Sequence, residues 1–444
     1  MNKPGLTAFL EGPFVRDYGM VFVLLLLMVL ISSLTIREQH PTGADAGRQV
    51  ARKILADHGA DAAVIIVTRN TAEDREFSGA AADVLNAGDA PVLDIVNGSP
   101  SDVRRLLERL SAEDQGIDAI AANDVTAKWS VYDRFPNVGT EKCVTPQTYR
   151  WPDFLKVSNL KGVANQTAIY AIIAIGMTAV IITAGIDLSV GSLVALSSVV
   201  SALIVRDVGT GSDAGIAVVL LSWVAGVGVC AACGLFSGTM VTAFRIPPFI
   251  VTLAIMMMAS GLAFRLTNGS SIADLPESFY VLGRGQIAGV PNPVVLMVVL
   301  YAIAHVVMTR TIFGRYVYAI GGNAEASRLS GVPVRRVLLV VYALSGALAG
   351  LGGIVLTSQL SAGDPKFGLM YELEVIAAVV VGGTSLMGGR GKILGTLIGA
   401  FIISTIKNGM NLTNVDPFNQ KIVLGGVLLG AVLLDTIKRR GGPE

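Results

Sequence analysis

Charge is scarce in this chain. Charged residues fill 15% of its 444 positions, where an ordinary soluble domain carries about 25%. With 52% apolar residues and a mean hydropathy of +0.63, that excludes a protein soluble along its whole length. Aromatic residues are at 6% while glycine reaches 50 residues, a balance that suits helices packed closely in lipid. Cysteine occurs only as Cys143, Cys230 and Cys233, too few for a disulfide scaffold or a four-cysteine zinc site. The three histidines, His40, His58 and His305, are scattered. No Ser-His-Asp, paired-carboxylate or metal-ligand spacing emerges, so no catalytic residue and no metal is expected. A net charge of +1 leaves no nucleic-acid footprint.

The charge that is present is concentrated. Residues 35–150 carry 13 of the 34 Lys and Arg and 18 of the 33 Asp and Glu. This block is framed by apolar sequence. Before it, Tyr18 to Leu34 runs 17 residues without a charge, after Lys3 and Arg16. A cleaved signal peptide needs a small-residue cleavage site, and Ser32-Ser33-Leu34 is a poor one, so an uncleaved first helix is expected. After the block, apolar segments lie near 163–184, 188–206, 214–235, 247–265, 293–309, 337–357, 371–387, 393–410 and 420–435. Several reach the roughly 20 residues that cross about 30 Å of hydrocarbon. The expected fold is thus an all-α integral membrane protein of about ten transmembrane helices with an inserted α/β domain: 1–35 N-terminus and first helix, 36–150 insert, 151–437 membrane core, 438–444 basic tail. The weakest segment is 371–387, whose apolar core spans only Val375 to Val381.

Lys and Arg placement sets orientation. With both termini inside, inside segments carry Lys3, Arg16, Arg245, Arg310, Arg315, Arg328, Arg335, Arg336, Arg390, Lys392, Lys438, Arg439 and Arg440. Outside connectors carry Lys156, Lys161, Arg206, Arg265, Arg284, Lys366, Lys407 and Lys421. The bias is strongest at 310–336 and at the tail, and it puts the insert outside the cytoplasm.

Within the insert, helical and strand patterns alternate: Asp45 to His58, Ala63 to Val67, Ala72 to Asn86, Val92 to Val96, Ser99 or Ser101 to about Leu110, and Ile117 to Ala121. Alternation of this kind implies a small parallel sheet flanked by helices. Its strands end in Thr68-Arg69-Asn70, Asn97-Gly98-Ser99 and Asn123-Asp124. Ligands bind beyond such ends in open α/β sheets, but polar residues also simply populate loops, the reading favoured here. Cys143 reads as a free or buried thiol.

Gly382 to Lys392 is glycine-rich, but Ile393 stands where a phosphate-binding loop needs Ser or Thr; a tight turn anchored inside by Arg390 and Lys392 explains it better. Cys230 and Cys233 share a face of an apolar helix and read as small packing residues, since a redox pair needs access. Asp187, Glu372, Glu374, Lys407 and Asp435 lie at or near helix ends, leaving few ionisable groups at mid-membrane, where an ion-driven carrier places them. Asp187 sits in a break, Gly185-Ile186-Asp187-Leu188-Ser189-Val190-Gly191, and a similar break recurs at Gly383-Thr384-Ser385-Leu386. Paired interruptions mark transport pathways; alternatively, Asp187 caps the next helix. On the longest inside loop, Ala324 to Leu329 forms a short helix capped by Asn323 and ended by Gly331. It is either a docking element for a soluble partner or a solvated connector.

Four blocks carry a resemblance. Ile175 to Ser192, Ile246-Pro247-Pro248-Phe249-Ile250-Val251-Thr252-Leu253, Tyr318-Ala319-Ile320-Gly321-Gly322-Asn323 and Val381 to Gly391 together resemble permease subunits of monosaccharide ABC importers, of the ribose, xylose and galactose type, over roughly 151–437. The resemblance implies a second permease subunit, cytoplasmic ATPase subunits that hold the ATP and magnesium, an extracytoplasmic sugar-binding protein, and a bacterial inner membrane. It implies no cofactor in this chain. Glu325-Ala326-Ser327 followed by Gly331 is similar to the Glu-Ala-Ala-x3-Gly coupling loop of importer permeases, with Ser327 replacing the second Ala; with Gly321, Gly322 and Asn323 these residues are the expected ATPase contact. Pathway or gating candidates are Gly185, Asp187, Ser189, Gly191, Pro248, Phe249, Thr252, Glu372, Glu374, Gly383 and Thr384. Branched-chain amino acids or nucleosides are alternative cargoes, and a membrane receptor is a more distant alternative. The family has a short connector where this chain carries its insert.

Overall fold

A computed structural model describes residues 13–135 and 140–440. Lys3 and residues 441–444, parts of the expected inside termini, lie outside them. The chain divides into two compact units, Met1–Thr35 with Asp153–Glu444, and Ile36–Pro152.

The second unit opens and closes with an antiparallel ribbon, β1 (Ile36–Gln39) against β6 (Tyr149–Pro152), with Gln39 opposite Tyr149. Between them run α2 (Gly43–His58), β2 (Val64–Thr68), α3 (Ala72–Ala87), β3 (Val92–Asn97), α4 (Pro100–Ala112), β4 (Ala119–Ala122) and β5 (Cys143–Val144); α1, Pro13–Leu34, precedes the unit. The strands form a parallel sheet in the order β3-β2-β4-β5. β2 and β4 are buried along their whole length because both faces are covered. Val50, Ile54, Phe77 and Leu85 pack one face, and Val103, Leu106, Leu107 and Leu110 the other. Thr71 caps α3 by accepting the Asp74 N–H at 3.2 Å. Before α4, the Asp102 carboxylate accepts the Ser99 N–H at 2.7 Å, a bond that lowers its pKa to about 2. The sequence places the third strand at 117–121, but the structure starts it at Ala119, since Ile117 serves the core from the preceding loop. The polar strand ends are tied into the fold: Arg69 donates to Asp74 at 2.8 Å, Asn123 to Asp74 at 2.9 Å, and Thr126 to the Val67 carbonyl at 2.8 Å. That agrees with the loop reading. Cys143, the first residue of β5, is half-buried, and burial pushes its thiol up to about 12.

The first unit is helical: α5 (Val157–Ile182), α6 (Val190–Gly209), α7 (Ile216–Ala243), α8 (Pro248–Thr267), α9 (Glu277–Arg284), α10 (Asn292–Arg310), α11 (Ile312–Gly322), α12 (Ala324–Leu329), α13 (Val334–Leu360), α14 (Tyr371–Val381), α15 (Ile393–Leu412) and α16 (Pro417–Arg440). Seven of these, α5, α6, α7, α8, α10, α13 and α15, are long and apolar enough to cross a membrane, and Gly19–Leu34 and Pro417–Leu433 are shorter apolar stretches. Each of the ten apolar segments is helical, but α14 has 11 residues, too few to cross. The expected helix at 371–387 ends at Val381, where Gly382 begins the glycine loop. A second correction concerns Lys407. It lies within α15 and its side chain is 16% exposed, so it is not a connector residue at a helix end.

Small residues allow the close packing. A Cβ on Gly234 would enter the Tyr342 carbonyl, and one on Gly346 the Cys230 carbonyl, so α7 and α13 pack backbone to backbone. Ser197 donates to the Gly350 carbonyl at 2.8 Å, and the buried Cys230 thiol to the Leu193 carbonyl at 3.2 Å. Cys230 is therefore a packing residue. Leu26, Val224, Met257 and Leu429 face outward, an apolar exterior that water would disfavour and hydrocarbon accepts.

Candidate functional site

The short helix α12 forms for local reasons. Asn323 is its N-cap, its side-chain oxygen accepting the Ala326 N–H at 2.9 Å. Glu325 lies in the first turn, where a negative charge is favoured, and Arg328 in the last. Arg328 Nε donates to Glu325 at 3.1 Å and holds its carboxyl below the usual range. Gly331, at φ +83°, turns the chain into α13. Ser327 is the one buried residue of α12, its hydroxyl bonded to the Asn323 carbonyl at 2.8 Å. That bond satisfies the buried hydroxyl that Ser327 adds where the resemblance expects Ala. Glu325, Ala326, Arg328 and Leu329 all face outward, Leu329 at 76% exposure. The helix thus presents an apolar tip and two charges outward while its inner face is fixed.

This helix is joined to the breaks through glycine. Gly321, at the end of α11, sits so close to the Ile182 carbonyl that no Cβ fits. That carbonyl ends α5 and accepts the Gly389 N–H at 2.8 Å. Gly388, at φ +86°, packs on Ala184 and the Gly321 carbonyl, and Tyr318 donates to the Gly391 carbonyl at 2.8 Å. The end of α11, the end of α5 just before the first break, and the glycine loop therefore meet at one junction. By contrast, a Cβ on Gly322 would meet nothing within 4 Å.

The first break is polar and closed. Asp187 is buried; its Oδ1 accepts from Ser189 N at 3.0 Å and Ser189 Oγ at 2.6 Å, and its Oδ2 from Ser345 Oγ at 2.8 Å. It thus ties the start of α6 to α13. Ser189, buried, is the residue before α6. Gly185 abuts the Tyr342 hydroxyl. Thr252 Oγ1 accepts the Leu188 N–H at 3.1 Å, so the first turn of α8, begun by Pro248, holds the break from another side. Phe249, next to it, is exposed and outside this set. Gly191 lies against the Gly368 carbonyl and the Glu372 carboxylate. Gly383 has φ +90°, and Thr384 is buried against Gly391.

One pairing escapes sequence reasoning. Lys407 Nζ donates to Glu374 Oε1 at 2.8 Å and Oε2 at 2.9 Å. No spacing rule joins residues on different helices; the only signal was a lysine inside an apolar segment. Among the described residues, no group of three or more His, Cys, Asp or Glu is placed to hold a metal ion.

The sequence matches the family described as branched-chain amino acid transport system / permease component over residues 159–432. The ribose import permease protein of Bacillus subtilis (strain 168) is 46% identical over 289 residues, 65% of this chain and 87% of the relative. That of Escherichia coli (strain K12) is 44% identical over 293 residues, 65% of this chain and 88% of the relative. The L-arabinose ABC transporter permease protein of Azospirillum brasilense is 38% identical over 288 residues, 65% and 83% of the two chains. No solved structure matches. The family match begins after Pro152, so the Ile36–Pro152 unit lies outside it. With the family match covering more than half of its length and the junction of α11, α12 and the two breaks inside it, the chain belongs to this family of transport-system permeases.

Proposed function

We propose that the protein is the membrane-spanning permease subunit of an ABC importer that carries a monosaccharide across a bacterial inner membrane. It works with a second permease subunit, with ATPase subunits that bind α12 from the cytoplasm, and with an extracytoplasmic sugar-binding protein. ATP and magnesium stay in the ATPase subunits, and this chain makes and breaks no covalent bond. Both termini are cytoplasmic. The chain crosses ten times, short α14 completing its crossing together with the non-helical residues 361–370 before it. The candidate residues from Gly185 to Gly191, with Thr252, Glu372, Glu374, Gly383 and Thr384, border the path or its gate.

The observation that carries the reading is α12. Its outward face is exposed, while Gly321, just before it, is wedged between the Ile182 carbonyl, three residues before the first break, and Gly389 of the glycine loop. Force on the helix therefore reaches the path directly. The family description names branched-chain amino acids, but relatives named for ribose and arabinose share 38–46% identity with this chain. A sugar also suits a core whose buried Asp187 is held by serine groups and whose Glu374 is paired with Lys407, because hydroxyls lose far less than unpaired ions when they leave water. The test is co-purification with an ATPase subunit whose ATP hydrolysis rises with sugar-loaded binding protein; no association, or stimulation by leucine alone, would overturn it.

For the insert we propose an extracytoplasmic role in docking the binding protein. Deleting residues 40–145 leaves β1 and β6 joined by Pro146-Gln147-Thr148, a length that closes a hairpin. This variant is expected to import sugar more slowly at limiting binding protein and normally at saturation, measured in vesicles. Uptake equal to the parent at every concentration would remove the role.

A further inference from the structure

An ion pair lies deep in the first unit, away from α12. Tyr170 is near the midpoint of the 26-residue α5, and its hydroxyl accepts from Lys407 at 2.9 Å. The Tyr170 and Tyr371 rings are 4.7 Å apart, so α14 begins at this level, halfway along α5. Lys407 and Glu374 are 16% and 13% exposed. A buried ion pair contributes little stability compared with packed apolar residues of similar volume. Ionisable groups inside a membrane protein usually mark the route of a cargo.

The same pair forms part of the wall of a cavity of about 310 Å³ between α14, α15 and α16, which is also lined by Leu373, Ala377, Gln420 and Leu424. That volume is at the lower end of small-molecule sites, and a mostly apolar wall with a few convergent polar groups is their usual make-up. The pair is itself neutral and offers a cationic donor and two carboxylate oxygens as acceptors; Lys421, which also lines the cavity, is exposed. Hydroxyls match both. An amino acid would leave its carboxylate and ammonium competing with an existing salt bridge.

We propose that this cavity is a subsite for the sugar in transit, where Glu374 and Lys407 hydrogen-bond its hydroxyls while Leu373 and Leu424 face its C–H surface. The proposal rests on the sugar-import reading above and adds the place and the groups. A lipid chain would use the apolar wall but not the charges.

Gly425 also lines the cavity, and a Cβ there meets nothing within 4 Å. In the complete importer in membrane vesicles, Gly425→Cys is treated with a membrane-permeant maleimide during ATP turnover, and modification is read by mass spectrometry of that peptide. D-Ribose, L-arabinose, D-xylose, D-galactose and leucine are compared. The imported sugar, supplied in excess, should slow labelling about tenfold, as it does when it fills the cavity about nine-tenths of the time, and leucine should not. Adding Glu374→Leu with Lys407→Met leaves no unpaired charge, so the protein still inserts. It should abolish the protection and lower uptake about tenfold, with stimulated ATP hydrolysis retained. Unchanged labelling while a sugar is imported overturns the subsite and leaves sugar import standing. Labelling that depends on added lipid and not on sugar, or crosslinking between two introduced thiols, overturns it in favour of a lipid or a second copy. If the parent protein imports leucine and none of the four sugars, the import reading itself fails, before any thiol is introduced.

Discussion

Glu325→Lys leaves the protein in the membrane and abolishes ATP-driven sugar uptake. The carboxylate is exposed, and its partner Arg328 is one turn away on the same exposed surface. Exposed pairs contribute little to folding, so the substitution does not harm the core. What it changes is the outer surface of α12, where Lys would stand beside Arg328 and at the helix end that disfavours a positive charge. A partner matched to Glu325 then meets the wrong charge, and such juxtapositions in an interface cost several kcal/mol. The measurement is uptake together with ATP hydrolysis stimulated by sugar-loaded binding protein. Normal stimulation in the variant would contradict the docking role.

Gly321→Ala is expected to reduce uptake at least about tenfold, whereas Gly322→Ala keeps parental activity. One added methyl at Gly321 would occupy the space of the Ile182 carbonyl, which must also accept the Gly389 N–H. Forced overpacking of this kind costs about 1–3 kcal/mol, and here it separates the docking helix from both breaks. The methyl at Gly322 meets nothing, so its effect stays within about 0.5 kcal/mol. Uptake and membrane abundance of the two variants are compared side by side. Equal activity would mean that the junction transmits nothing.

Legibility in the sequence followed periodicity. The apolar runs and the alternating block carry local patterns, so α5, α7, α13 and the parallel sheet were readable before any coordinates. The cap of α12 was readable for the same reason, since Asn323, Glu325 and Gly331 act within one turn. What was hidden is tertiary. Glu374 and Lys407 are far apart in sequence and look like helix-end charges until α14 and α15 pack side by side and bring them together. Asp187 reads as a cap, and its tie to Ser345 depends on α13 crossing the break. Gly321 is expected only as part of the ATPase contact; the approach of the Ile182 carbonyl, which gives it a packing role, is not visible in the sequence. The short α14 was foreshadowed by the brevity of its apolar core, but hydropathy alone could not distinguish a half-length helix from a weak span.

The account is tested most directly by reconstituting the permease in liposomes with and without its ATPase subunits and measuring sugar accumulation against a gradient. With ATPase, binding protein and ATP present, sugar should accumulate; with the permease alone, internal sugar should never exceed external sugar. Uphill accumulation by the permease alone would contradict a gate driven through α12.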